Sequence, residues 1–172
     1  MPAAPKTSLT VSCACEGVAF EATGSPIVCA VCHCKDCEEG SRRIEALPNA
    51  RPVREADGGT AYILFRKDRF VCTAGAPLLK SHKISESSAT SRVVATCCNS
   101  PMFLGFDDAK HWVSAYRGRF RGDVPPLQMR ICTKFRAPDG APVPKGLPTY
   151  STLPLGLMVK LLGAKVAMVL HL

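Results

Sequence analysis

Ten cysteines stand in the 172 residues, and six of them fall before residue 38. Cys13 with Cys15 and Cys32 with Cys34 are each separated by a single residue. That spacing strains a direct disulfide but suits two thiolates on one metal ion. Cys37 adds a third sulfur to the second group, in the run CHCKDC, and the adjacent Cys97 and Cys98 supply two more downstream. Zinc takes tetrahedral sets of cysteine and histidine. Two and two give a closed four-thiolate site of the structural kind, whereas the three of CHCKDC leave one position over. That position is either filled, by Cys29, His33 or His82, or open to an outside ligand. An open zinc binds a thiol and lowers its pKa, making it a nucleophilic thiolate near neutral pH.

Other reactive side chains have plainer readings. Cys72 and Cys132 stand alone in apolar stretches and read as small buried hydrophobes. His33, between two ligands, reads as a neighbour of the metal. Arg117, Arg119 and Arg121 would share one face if RGRFR were a strand, forming an anion patch or simply a solvated face. Asp107, Asp108 and His111 follow a strand-like run and read as a turn.

The elements that must position these residues are mainly short strands. Hydrophobic residues make up 47% of the chain and charged ones 21%, which excludes a disordered chain; the 13 glycines and 14 prolines show no fibrous period. Leu9 to Phe20 reads as strand, tight passage at Gly17 and strand. Pro26 to Val31 is a third strand running into CHCKDC, a short helix is expected within 35–47, and 48–60 reads as a surface loop. Six further runs follow: AYILFR, RFVCTA, LLKSHKIS, RVVATC, PMFLGF and HWVSAY. The expected organisation is an arm over 1–8, a zinc-binding domain over 9–136, and a Pro-rich linker with an apolar segment over 137–172. Leu157, Leu161, Leu162, Val166 and Val169 fall at helical spacing, so the last segment reads as a helix packed on the body or on a second copy. Membrane contact of this tail is not expected, because Lys160 and Lys165 interrupt it. The net charge of +8 favours anionic ligands, but aromatics at 6% supply no stacking platform, so nucleic acid is not an expected partner. MPAAPKTSLT lacks an apolar stretch, so the expected location is cytoplasmic, where clustered cysteines are metal ligands more often than disulfides.

Taken together, Cys13-Ala-Cys15-Glu-Gly17-Val-Ala-Phe20, Gly24-Ser-Pro26, Cys32-His33-Cys34-Lys-Asp-Cys37, Arg92 and Cys98-Asn-Ser100-Pro101 resemble the glutathione-dependent formaldehyde-activating domain, found also in centromere protein V, over roughly residues 9 to 115. The resemblance implies a mainly β, Mss4-like fold of short antiparallel sheets around one or two zinc ions. Cys13, Cys15 and Cys98, with Cys97 nearby, would hold a structural zinc. Cys32, Cys34 and Cys37 would hold a second zinc at which a thiol such as glutathione adds to formaldehyde, the reverse direction being a carbon–sulfur lyase reaction. Glutathione carries two carboxylates, for which Arg42, Arg43, Lys83 and Arg92 are the candidate binders. The alternative is a non-catalytic zinc module that binds a partner or a thiol ligand. The chain departs from the family pattern in three places: Ala95 stands where a first late cysteine is usual, Asn99 where a glycine is, and Glu38 and Glu39 where arginine is.

Overall fold

A computed structural model describes residues 8–107, 109–136 and 141–172. Two strands, β1 (Ser8–Ser12) and β2 (Ala19–Thr23), form the expected opening hairpin. With β5 (Phe70–Ala74) they make a three-stranded antiparallel sheet in the order β1-β2-β5. The larger sheet has seven strands. Its order is β10 (Met129–Ile131), β3 (Val28–Cys32), β4 (Thr60–Arg66), β9 (Trp112–Tyr116), β8 (Ser100–Phe106), β7 (Thr90–Ala95) and β6 (Leu79–Lys83). Every pairing in it is antiparallel except that of β10 with β3.

The strands alternate because one face of each sheet is buried against the other. Leu9, Val11, Phe20 and Ala22 of the small sheet meet Cys29, Ile63, Phe65, Met102, Val113 and Ala115 of the large one. Phe20 stacks on Phe70 at 4.8 Å and takes the edge of Phe103 at 5.3 Å. This core fixes the direction of β3, and with it the loop that leaves β3 carrying the second cysteine group.

The expected helix forms as α1 (Lys35–Glu45) on the opposite side of the large sheet. It buries Cys37, Gly40, Ser41 and Ile44. The apolar tail forms α2 (Leu155–Val169), held by Leu157 and Leu161, which pack with Val28, Ala30, Ile131 and Cys132. Most of the other large side chains of α2, Leu155, Val159, Leu162 and Val169 among them, are exposed. No described helix is long and apolar enough to cross a membrane.

RGRFR is not a strand: 117–119 form a 3-10 turn in which Arg119 is buried and donates to Ser100 Oγ at 3.2 Å, so the three arginines share no exposed face. The segment before the tail wraps the body, its residues 148–151 running along β10. Arg130 N–H donates to Pro148 O at 2.8 Å and Tyr150 N–H to Arg130 O at 2.9 Å. The arm expected over 1–8 lies, up to residue 7, outside the described residues, as do 137–140 and Asp108.

Candidate metal centres

The first cysteine group assembles from two turns far apart in the chain. Cys13 and Cys15 lie in the β1–β2 turn, where Glu16 adopts a left-handed φ of 63°. Cys97 and Cys98 lie in the β7–β8 turn, where Asn99 takes a φ of 51°. Asparagine tolerates that conformation better than most residues, so it replaces the glycine usual here at modest cost. All four sulfurs lie within 4.8 Å of one another. Cys15 Sγ is 3.3 Å from Cys97 Sγ, and Cys13 Sγ is 3.6 Å from Cys15 Sγ and 3.8 Å from Cys97 Sγ. Cys97, next to Cys98, thus completes a four-sulfur set although Ala95 stands where the family has a cysteine. Ala95 itself is fully buried in the core between the sheets. The donor set fits zinc: four soft thiols, close enough to share one ion. Burial raises the Cys98 thiol, but hydrogen bonds from the Ser100 hydroxyl and the Cys15 backbone bring it down to about 6, favouring a thiolate donor.

The second group sits at the junction of β3 and α1. Cys32 is the last residue of β3, Cys34 is the N-cap of α1, and Cys37 lies in its first turn. Their three sulfurs also lie within 4.8 Å of one another. The first turn of a helix presents unpaired N–H groups and a positive dipole end, which favours a thiolate at Cys34. Hydrogen bonds from the Cys32 thiol and then the Cys37 thiol hold Cys34 far below the usual thiol range, and the N–H groups of Cys37 and Asp36 help. Cys37 is pulled down by Cys32 but pushed up more by Cys34 and by burial, to about 12. The Tyr62 and Tyr116 rings, 5.0 Å apart, pack with Cys37, Cys32 and Cys34 beneath the site.

None of the three fourth ligands that the sequence offers lies in this ring of sulfurs. Cys29 points from the other face of β3 into the core between the sheets. His82 belongs to β6, the edge strand at the far end of the large sheet from β3. His33 is buried and turned toward Asp57, with Nε2 at 3.6 Å from Oδ2. Burial lowers the His33 pKa despite the opposing pull of Asp57. The cysteine that does stand beside the group is Cys132, which belongs to the buried cluster against which Cys32 and Cys34 pack.

Asp57 organises this edge. It is buried, accepts from Arg130 Nε at 2.8 Å and from the Gly59 N–H at 3.1 Å, and thereby ties the 56–59 turn to β10. Burial raises its carboxyl, but Arg130, Gly59 and His33 more than offset this and hold it below the usual range. Sequence patterning hides Asp57, because Ala-Asp-Gly-Gly in a Pro-rich stretch reads as an exposed turn.

The four basic residues assigned from the resemblance do not form one cluster. Arg43, Lys83 and Arg92, with His82, line a single cavity of about 220 Å³. Within it Lys83 pairs with Asp107, and Arg43 pairs with Glu39 at 2.6 Å. Arg92 is almost wholly buried beneath Gly40 of α1 and donates Nη2 to the Asp36 carbonyl, inside the CHCKDC turn. Arg42 is exposed, pairs with Glu39 at 2.7 Å and does not line that cavity. A second cavity of about 210 Å³ is lined by His33, Glu38, Arg54, Asp57 and Arg136. His111 is structural: its Nε2 lies 2.7 Å from the Leu161 carbonyl and helps anchor α2.

The sequence model of a family described as glutathione-dependent formaldehyde-activating enzyme matches residues 8–130, a span that holds both cysteine groups. Among solved structures, a crystal structure of a Rhodobacter sphaeroides protein is similar over 68% of this chain and 91% of its own, with 14% identity and a TM-score of 0.47. No curated protein matches the chain.

Proposed function

Since the chain belongs to the glutathione-dependent formaldehyde-activating enzyme family, we propose that it joins a small thiol such as glutathione to formaldehyde, and cleaves the S-hydroxymethyl adduct in reverse, as a cytoplasmic zinc-dependent carbon–sulfur lyase. The observation that carries this reading is the ring of Cys32, Cys34 and Cys37 at a helix N-terminus with a basic cavity against the same helix. Zinc held by those three thiols would supply a Lewis acid that keeps a bound thiol ionised near neutral pH. The protein's own residues would do the rest. Cys34 stays a thiolate at the start of α1, and the N–H groups there favour negative charge on the ligand face. Arg43 and Lys83 line the cavity and offer cationic partners to a carboxylate, each by exchanging its present acidic neighbour. Arg92 acts from below, fixing the CHCKDC turn through the Asp36 carbonyl rather than meeting substrate. The first group, with Cys13, Cys15, Cys97 and Cys98, would hold a structural zinc.

Exchange of ¹³C-formaldehyde with its glutathione adduct, followed by NMR, tests the reading. The protein should accelerate exchange, and Cys34→Ser should return it to the uncatalysed rate while zinc at the first site is retained. No acceleration by the zinc-loaded wild type would refute the assignment and leave a zinc-binding module.

A further inference from the structure

We propose that Cys132 is a fourth, displaceable thiol ligand of the second metal site, closing it at rest and yielding its place to an incoming thiol. The displacement half rests on the function proposed above; the ligand half stands on the β10–β3 register and the packing of Cys132 with Cys32 and Cys34.

Cys132 is brought to the site by the one parallel pairing of the large sheet. Ile131 lies opposite Cys32 in the β10–β3 register, and the His33 N–H donates to the Ile131 carbonyl at 3.0 Å. The next residue is Cys132, held at a φ of 62° and locked by the 3-10 turn that follows, in which the Phe135 N–H donates to the Cys132 carbonyl at 3.2 Å. A left-handed φ is uncommon for any residue but glycine, asparagine and aspartate, because the Cβ of other residues crowds the following carbonyl. A buried hydrophobe would not need that conformation. Here it places Cys132 in the buried cluster with Leu157 and Leu161 against which Cys32 and Cys34 pack.

The placement also explains why this ligand would come and go. Cys132 shares a packed cluster with Cys32 and Cys34 but does not lie within 4.8 Å of all three sulfurs of the ring. It stands at the edge of the set, as suits a ligand that enters and leaves. Exchange balances without any redox partner. The incoming thiol gives its S–H proton to Cys132 Sγ, one metal–sulfur bond replaces another, and Cys132 withdraws as a neutral thiol into its apolar surroundings. Cys132 lies two residues beyond the family match, which ends at residue 130.

The test is ¹¹³Cd NMR of the cadmium-loaded protein, in which each ion gives its own resonance and four-sulfur sites are distinct from three-sulfur ones. Wild type should show two four-sulfur resonances, and Cys132→Ser should shift one of them alone. A wild-type spectrum with one four-sulfur and one three-sulfur resonance overturns the proposal, even if the variant fails to fold. Glutathione titration of the zinc-loaded proteins then reads displacement. Cys132→Ser should bind about tenfold tighter, as expected if the displaced form is roughly a tenth of the wild-type population. Equal affinity would refute displacement. Two four-sulfur resonances with no glutathione binding to either protein would uphold Cys132 as ligand and sink the thiol-transfer function instead.

Discussion

Replacing Asp57 by asparagine should cost the fold far more than an isosteric change in a loop normally does. The carboxylate is 1% exposed and its partner Arg130 is 9% exposed, so neither is solvated when the other is lost. The asparagine amide would keep an acceptor for the Gly59 N–H, but the Arg130 guanidinium would lose its counter-charge while remaining buried. Breaking one side of a buried ion pair costs about 3–5 kcal/mol. The cavity beside His33 is lined by Asp57 and can admit water to the changed side chain, which favours the lower end, about 3 kcal/mol. For a chain of this size each kcal/mol lowers Tm by roughly 2–4 °C, so the variant should melt about 6–12 °C below wild type. The pH dependence fixes the cause. The folded-state pKa of Asp57 is depressed, so its contribution is fully present above the unfolded value of about 3.8 and is lost as pH falls through the lower folded value. The gap in Tm between Asp57→Asn and wild type, measured by scanning calorimetry on zinc-loaded protein, should be constant from roughly pH 7 to 5 and close only below about pH 3.8. A gap under about 2 °C at pH 7 would show that Arg130 does not depend on Asp57, and the reasoning would fail.

Cys97→Ser should lower zinc content from two ions per chain to one, measured by mass spectrometry, and lower Tm with it, since Cys97 contacts both Cys13 and Cys15 across the two turns. Undiminished zinc would mean that Cys97 is a bystander to Cys98. Gly75→Ala should destabilise by more than about 2 kcal/mol in urea unfolding, and a loss within experimental error would mean that the turn relaxes freely. Gly75 holds a φ of 73°, and an added Cβ would stand 2.0 Å from the Gly17 carbonyl oxygen, part of the backbone of the Cys13–Cys15 turn.

Much of this architecture is readable from residue order. Each strand-like run named in the sequence forms a strand, and CHCKDC falls at a strand-to-helix junction after a β-branched strand, although Gly40, expected to bound the short helix, lies buried within it. The compensation of Ala95 by Cys97 is not readable, because it depends on how tightly the β7–β8 turn bends at Asn99. Cys132 escapes for a related reason. A single cysteine after a three-residue strand looks like filler, and only the parallel pairing of Ile131 with Cys32, across most of the chain, gives it neighbours. Asp57 stays hidden because a buried charge in a loop has no periodicity to announce it, and Arg130 because its three-residue strand is too short to show one. Resemblance picks out Arg92, yet its burial beneath Gly40 makes it a support for the turn.

The pairing of β10 with β3 also sets the order in which the chain can finish itself during synthesis. β3 is complete by residue 32, but its outer edge stays unpaired until residues 129–131 have left the ribosome, about a hundred residues later. The four thiols of the first group are all present once residue 98 has emerged, so that site can close around its ion while Cys32, Cys34 and Cys37 still lie on an open sheet edge. The second site is therefore the last part of the body to be sealed. A nascent or truncated chain ending before β10 would carry one completed metal centre and one bare, aggregation-prone edge lined with thiols.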